Sequence, residues 1–241
     1  MSPEDQEKVM PLTEHLEEFR WRILKSLGAI LLFAVLSFPL SPKMIELLAR
    51  PVGEFYFFAP TEALLIRFKL AFAMGLGLAA PVILYQTWAF IIPALTRRER
   101  NYALPLVSFS TLLFGTGIAF AYFFLLPVTI KVLLSFGTES LKDLLGVNRY
   151  LTFVLWTLIG CGVVFELPVV VFFLTRLGLV TPRFLIQRWR EALLLILILS
   201  AVITPSIDVV TQVFLALPLT FLYLISLLVA VLAKKISSST L

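Results

Sequence analysis

Apolar residues run in long stretches separated by short polar segments rich in Lys and Arg. Crossing about 30 Å of hydrocarbon takes roughly 20 residues of helix. On that measure the stretches predict six spans: about Ile23 to Leu40, Ala63 to Ile92, Ala103 to Leu126, Leu151 to Leu174, Ala192 to Ile203 and Val213 to Ala233. The second is long enough to tilt or bend. The fifth, with its approach, is short, roughly 18–22 Å at about 1.5 Å per residue. Thinning of the bilayer, snorkelling of Arg188 and Arg190, or a partner would meet that mismatch, or spans five and six are simply buried against span four. A re-entrant hairpin of spans five and six is the alternative, but Lys234 and Lys235 at the far end favour a full crossing. Before span one, Pro11 suits the first turn of an amphipathic helix. Leu12, Leu16, Phe19 and Ile23 share one face of it, Glu14, Glu18 and Arg22 another, and Trp21 suits the membrane interface. Residues 42–49 and 128–145 also have helical spacing. They are expected to cap the outer face as short helices and to block a simple open pore.

Composition agrees. The 241 residues are 60% hydrophobic and 15% charged, with mean hydropathy +0.99, whereas soluble domains average about 45–50% apolar and about 25% charged. The exterior must be apolar too, so the solvent is lipid. The fold class is an all-α integral membrane protein, one domain over residues 1–241 with a cytoplasmic amphipathic segment over 1–22. The opening MSPEDQEKVM is acidic and polar, so no cleavable signal peptide is expected and span one should remain as an anchor.

The net charge of +5 is a topology signal, not a nucleic-acid footprint, because its placement is lopsided. Thirteen of the basic residues, including Arg20, Arg22, Arg97, Arg98, Arg176 and Arg188, fall on one side of the predicted spans and seven on the other. The richer side is expected to be cytoplasmic, with both termini on it. The single Cys161 excludes an internal disulfide and reads as packing.

Small residues recur every four positions in span two (Ala71, Gly75, Ala79) and span three (Thr111, Gly115, Ala119, with Gly117 and Ala121). Lipid does not drive apolar helices together, so such stripes mark close approach, here expected between spans two and three. Pro81, Pro168 and Pro218 should bend spans two, four and six.

Glu166 breaks the apolar rule most sharply. A carboxyl inside span four costs at least about 2.5–3.5 kcal/mol, so it needs a hydrogen bond from a neighbouring helix or a wet or partner-binding cavity. Gln212, heading span six, could face a polar cavity shared with it, near the polar turn of Thr204, Pro205, Ser206 and Asp208. Glu18 and Glu99 stand at a rim that is otherwise basic. Ordinary i,i+4 pairing with Arg22 accounts for Glu18 in part, yet both carboxylates could receive a cationic peptide, and Arg would pair bidentately. No phosphate-binding GxxxxGK[ST], no HExxH and no GxSxG occurs, and no cofactor, metal or enzymatic activity is expected. No internal repeat of the transporter kind is evident.

His15-Leu16-Glu17-Glu18-Phe19-Arg20-Trp21-Arg22 resembles the HLxELRxR signature of TatC, the large subunit of the twin-arginine protein translocase. Further stretches resemble it in register. They are Pro81 to Leu95 (PVILYQTWAFIIPAL) with Glu99 following, Ala119 to Phe123 (AFAYF), Phe165-Glu166-Leu167-Pro168, and Thr204-Pro205-Ser206 with Asp208 and Gln212. Phe19 stands for the usual Leu, Thr96 for a usual Tyr, and Ser206-Ile207 where a second Pro is common. The resemblance implies six spans in a bacterial inner membrane. It implies a receptor for signal peptides with two consecutive arginines, and export of folded proteins driven by the proton-motive force together with single-span TatA and TatB subunits in a hetero-oligomer. Glu18, Arg20, Phe90 and Glu99 would form the signal-binding surface, and Glu166 and Gln212 would line a concave membrane face and contact partner helices. The alternatives are a proton-coupled transporter of a small solute working through Glu166, and a structural scaffold for other membrane proteins.

Overall fold

A helix satisfies its own backbone, which is why apolar stretches in lipid become helices. The computed structural model describes residues 12–50, 56, 59–91, 103–135, 146–204 and 209–238. Among them the regular elements are helices, apart from one isolated parallel bridge between Tyr56 and Gly146. Helix α1 (Leu12–Ser37) passes through a 3-10 turn at Phe38–Leu40 into α2 (Ser41–Ala49). Then follow α3 (Pro60–Ile91), α4 (Ala103–Phe120), α5 (Leu126–Ser135), α6 (Val147–Val164), α7 (Leu167–Arg176), α8 (Pro182–Gln187), α9 (Trp189–Ile203) and α10 (Val209–Ser238). Glu99, Asp208 and the segment 136–145 lie outside the described residues, as do the side chains of Lys234 and Lys235.

Five helical stretches among the described residues are long and apolar enough to cross a membrane: Glu14–Ala49, Pro60–Ile91, Pro105–Ser135, Val147–Arg176 and Val209–Ala233. The expected fifth span is α9, whose 15 residues make roughly 22 Å of helix and fall short of that length. The cap expected at 42–49 is α2, and the first part of the one expected at 128–145 is α5. The hydroxyls of Tyr122 and Tyr150 donate to the carbonyls of Leu47 (3.1 Å) and Leu48 (2.9 Å), tying the end of α2 to the bundle. Tyr122 reaches it from a π turn at Ala121–Leu125 between α4 and α5, where the Leu126 N–H bonds to the Ala121 carbonyl five residues back. One wide turn re-aims the following side chains.

The three prolines differ in effect. Helices α3 and α10 run through Pro81 and Pro218 without interruption. Span four breaks into α6 and α7 at Phe165 and Glu166. The Glu166 N–H bonds to Val163 only three residues back, and its carbonyl takes the N–H of both Val169 and Val170. Pro168, with no N–H of its own, sits in the first turn of α7, where none is needed. Helix α7 ends at Gly178 with φ +74°. The N–H groups of Gly178 and Leu179 reach back to Thr175 and Leu174, a closure that satisfies orphan carbonyls and favours glycine.

The small-residue stripes pack differently from the expectation that spans two and three meet through them. A Cβ on Gly75 would lie 2.6 Å from the Ala34 nitrogen, so the α3 stripe faces α1. A Cβ on Gly117 would lie 2.7 Å from the Cys161 carbonyl, so the α4 stripe faces α6. The stripe reports a face, and here each face found a different neighbour. Helices α1 and α3 run antiparallel, matching Phe19 with Phe90, Arg22 with Gln86, Ala34 with Gly75 and Phe38 with Phe68. Buried Cys161 of α6 packs with Leu125, Ile196 of α9 and Leu215 and Leu219 of α10.

Gly75 and Gly77 give a paired test. Gly75→Ala should cost about 1–3 kcal/mol of stability in detergent unfolding, since the obstacle is backbone. Gly77→Ala, with nothing within 4 Å of the new Cβ, should leave stability unchanged or slightly raised. Equal effects would contradict the α1–α3 crossing.

Candidate functional site

At the Glu18 end of the bundle, α1 is laid along the last turns of α3. Glu18 Oε1 accepts from Arg22 Nη2 at 2.5 Å and Nε at 3.0 Å, and Arg22 Nη1 donates to Gln86 Oε1 at 3.2 Å. The carboxylate is thus one turn from its own cation, as the i,i+4 spacing predicts, and is half-buried rather than freely solvated. His15 stacks on Phe90 with centroids 4.4 Å apart, and Phe19 packs on the same ring at 5.3 Å. Arg20 is exposed. The structure therefore brings Glu18 and Phe90 to one patch through Arg22, Gln86 and Phe19. Between α1 and α3 runs a groove of about 320 Å³, bordered by Phe19, Arg22, Gln86 and Phe90.

Glu166 lies at the joint between α6 and α7, 7% exposed. Ser110 of α4 donates to its Oε2, and Trp88 Nε1 of α3 donates to the same serine oxygen at 3.1 Å. The Trp88 ring is itself stacked on Phe173 of α7, 4.1 Å between centroids. Glu166 Oε1 is buried with no hydrogen-bond partner among the described residues. One oxygen is thus bonded to a neighbouring helix, as the first sequence reading expects, and the residue borders a groove of about 520 Å³ whose walls are otherwise almost wholly apolar.

Gln212 is elsewhere. Its Nε2 donates to the Leu197 carbonyl of α9 at 3.0 Å, and it is not among the residues that border the Glu166 groove. Its bond joins α10 to α9 in place of a shared polar cavity. Sequence reasoning passed over Ser110 and Trp88, although they hold Glu166. A serine in an apolar span usually bonds its own helix, as Thr111 does with the Val107 carbonyl, so nothing in its spacing marked it out. Gln86, which completes the Arg22 pairing, was missed for the same reason.

Removing the Ser110 hydroxyl should leave Glu166 with a second unpaired oxygen. Ser110→Ala should therefore lower stability by about 1–3 kcal/mol, and by much less when Glu166 is already Leu. Chemical unfolding of both singles and the double change measures the coupling. Additive penalties would mean the two groups do not interact.

Comparison with known proteins bears on the whole of this arrangement. The model of the Sec-independent protein translocase protein (TatC) family matches residues 14–218. The TatC of Aquifex aeolicus is 39% identical over 234 residues, covering 94% of this chain and 97% of its own. That of Carboxydothermus hydrogenoformans is 36% identical over 229 residues, covering 93% and 94%. A crystal structure described as the twin-arginine translocase receptor TatC superposes with a TM-score of 0.80 at 38% identity, covering 91% of this chain and 99% of that one. The chain belongs to the TatC family of Sec-independent protein translocase proteins.

Proposed function

We propose that this protein is the receptor subunit of a twin-arginine export system in a bacterial inner membrane, and that it binds paired-arginine signal peptides at the Glu18 end. The observation that carries the reading is the extent of the family match. Residues 14–218 take in the Glu18 patch, the Phe90 end of α3 and the Glu166 groove together. Membership of a translocase family also favours this reading over a proton-coupled transporter working through Glu166.

The excess of basic residues assigns the Glu18 end to the cytoplasm, with six spans and both termini on that side. There Glu18 and Glu99 meet the two guanidiniums through charge-assisted, bidentate bonds. Arg22 already occupies Glu18 Oε1, so an incoming arginine takes the remaining lone pairs or displaces Arg22 onto Gln86. The aromatic floor of Phe90 and Phe19 suits stacking of a guanidinium plane. The apolar stretch of the signal peptide then lies along the grooves beside α3. TatA and TatB act with this chain as single-span partners in a hetero-oligomer. Membership of the translocase family supports the proton-motive force as the driving force.

Glu99→Gln and, separately, Glu18→Gln should each weaken binding of a twin-arginine peptide by roughly 10-fold, the scale of one charge-assisted bond. Equilibrium binding to the purified complex measures it, with a twin-lysine peptide as control. Full affinity in both variants would remove the recognition model.

A further inference from the structure

The grooves on this face of the bundle share walls. The groove at the Glu18 end and the Glu166 groove meet at Ile83, Thr87 and Ile91. The Glu166 groove in turn meets a third, of about 550 Å³, and the two share Phe114 and Ile159. This third groove is closed at its far end by Met44, Leu47 and Leu48 of α2, and it holds Ser37, whose hydroxyl is buried without a partner among the described residues. From Phe90 to Leu70 of α3, which flank the two ends, is 20 residues of helix, roughly 30 Å, and that is about the thickness of the hydrocarbon layer. Through these shared residues the three grooves adjoin in series, a trough about as long as the membrane is thick, and its second and third members are interrupted where they meet.

The interruption is Phe114 with Ile159. Phe114 is 8% exposed, and its ring occupies the space beside Gly162 of α6, where a Cβ would come 2.8 Å from Cε2. The α4–α6 crossing at Gly117 brings the ring there. Beyond it the trough is loose: Gly77 and Gly115 border the third groove and have nothing within 4 Å of where a Cβ would stand. A side chain that needs a bare backbone to lie against, between two open compartments, is a partition.

We propose that Phe114 is a depth stop, which sets how far the apolar segment of a bound signal peptide enters the trough and so which segment lengths it accepts. The inference rests on the receptor reading above. From Ile91 to Leu76 the compartment before the ring spans 15 residues of α3, roughly 22 Å. A helical apolar segment of up to about 15 residues is accommodated there at the same rise per residue. A longer one reaches the Ser37 compartment only by turning the ring aside. The occupant is a signal peptide because the trough opens directly from the Glu18 and Phe90 patch that would hold its arginines.

The test uses the full chain with its partner subunits in membrane vesicles. A photo-crosslinking residue is placed at Thr87 or, separately, at Met74, and the probe is a twin-arginine precursor with an apolar segment of about 20 residues. The ratio of Met74 to Thr87 cross-links should rise at least threefold in Phe114→Ala and fall by a similar factor in Phe114→Trp. Phe114→Leu, of closer volume, should give an intermediate rise and serves if alanine disturbs the crossing. An unchanged ratio in all variants, with strong Thr87 cross-links, overturns the depth stop and leaves the receptor reading standing. Absent Thr87 cross-links in the unaltered chain, or equal ones from a twin-lysine precursor, overturn the receptor reading and the depth stop with it.

Discussion

The crossing of α4 and α6 is the constraint on which the concave face depends. Lipid tails are as apolar as leucine, so no hydrophobic force pulls these helices together. What remains is the fit of one backbone against another, and Gly117 permits it: any side chain there would collide with the carbonyl of Cys161. That single approach positions Phe114 over Gly162, brings Ser110 within reach of Glu166, and fixes the wall along which the grooves run. The other close crossing, Ala34 with Gly75, does the same for α1 and α3 and so carries Glu18 to Phe90.

Glu166 shows how an expensive group is kept at low cost. The break that Pro168 permits puts it at a helix joint, where it can turn toward α4. One oxygen is satisfied by a serine that is itself held by Trp88, and Trp88 is held by its stack on Phe173. Three helices thus meet on one carboxyl. Among the described residues the remaining oxygen has no partner, at the edge of an apolar groove, and a buried acceptor in that position favours any partner that brings a donor.

Much of this was legible in the chain itself. Hydropathy alone located the long spans, and helical spacing located α2 to within one residue of 42–49. The i,i+4 rule found the Glu18–Arg22 pair, and the apolar rule singled out Glu166. What it could not supply is which faces meet. The stripes of span two and span three looked like each other's partners, yet Gly75 went to α1 and Gly117 to α6, because periodicity defines a face and not its neighbour. Gln212 shares this lesson: its polarity was plain, but the Leu197 carbonyl that absorbs it is a backbone atom of another helix, invisible to composition. Ser110 was hidden among serines and threonines that bond only their own helices.

The cap formed by α2 has a consequence for traffic. Its last carbonyls are fastened by two tyrosine hydroxyls, so the far end of the third groove is held shut by polar bonds in an apolar setting. Swinging the cap away would strand two donors and two acceptors where no water competes for them, so passage through that end is barred energetically as well as sterically.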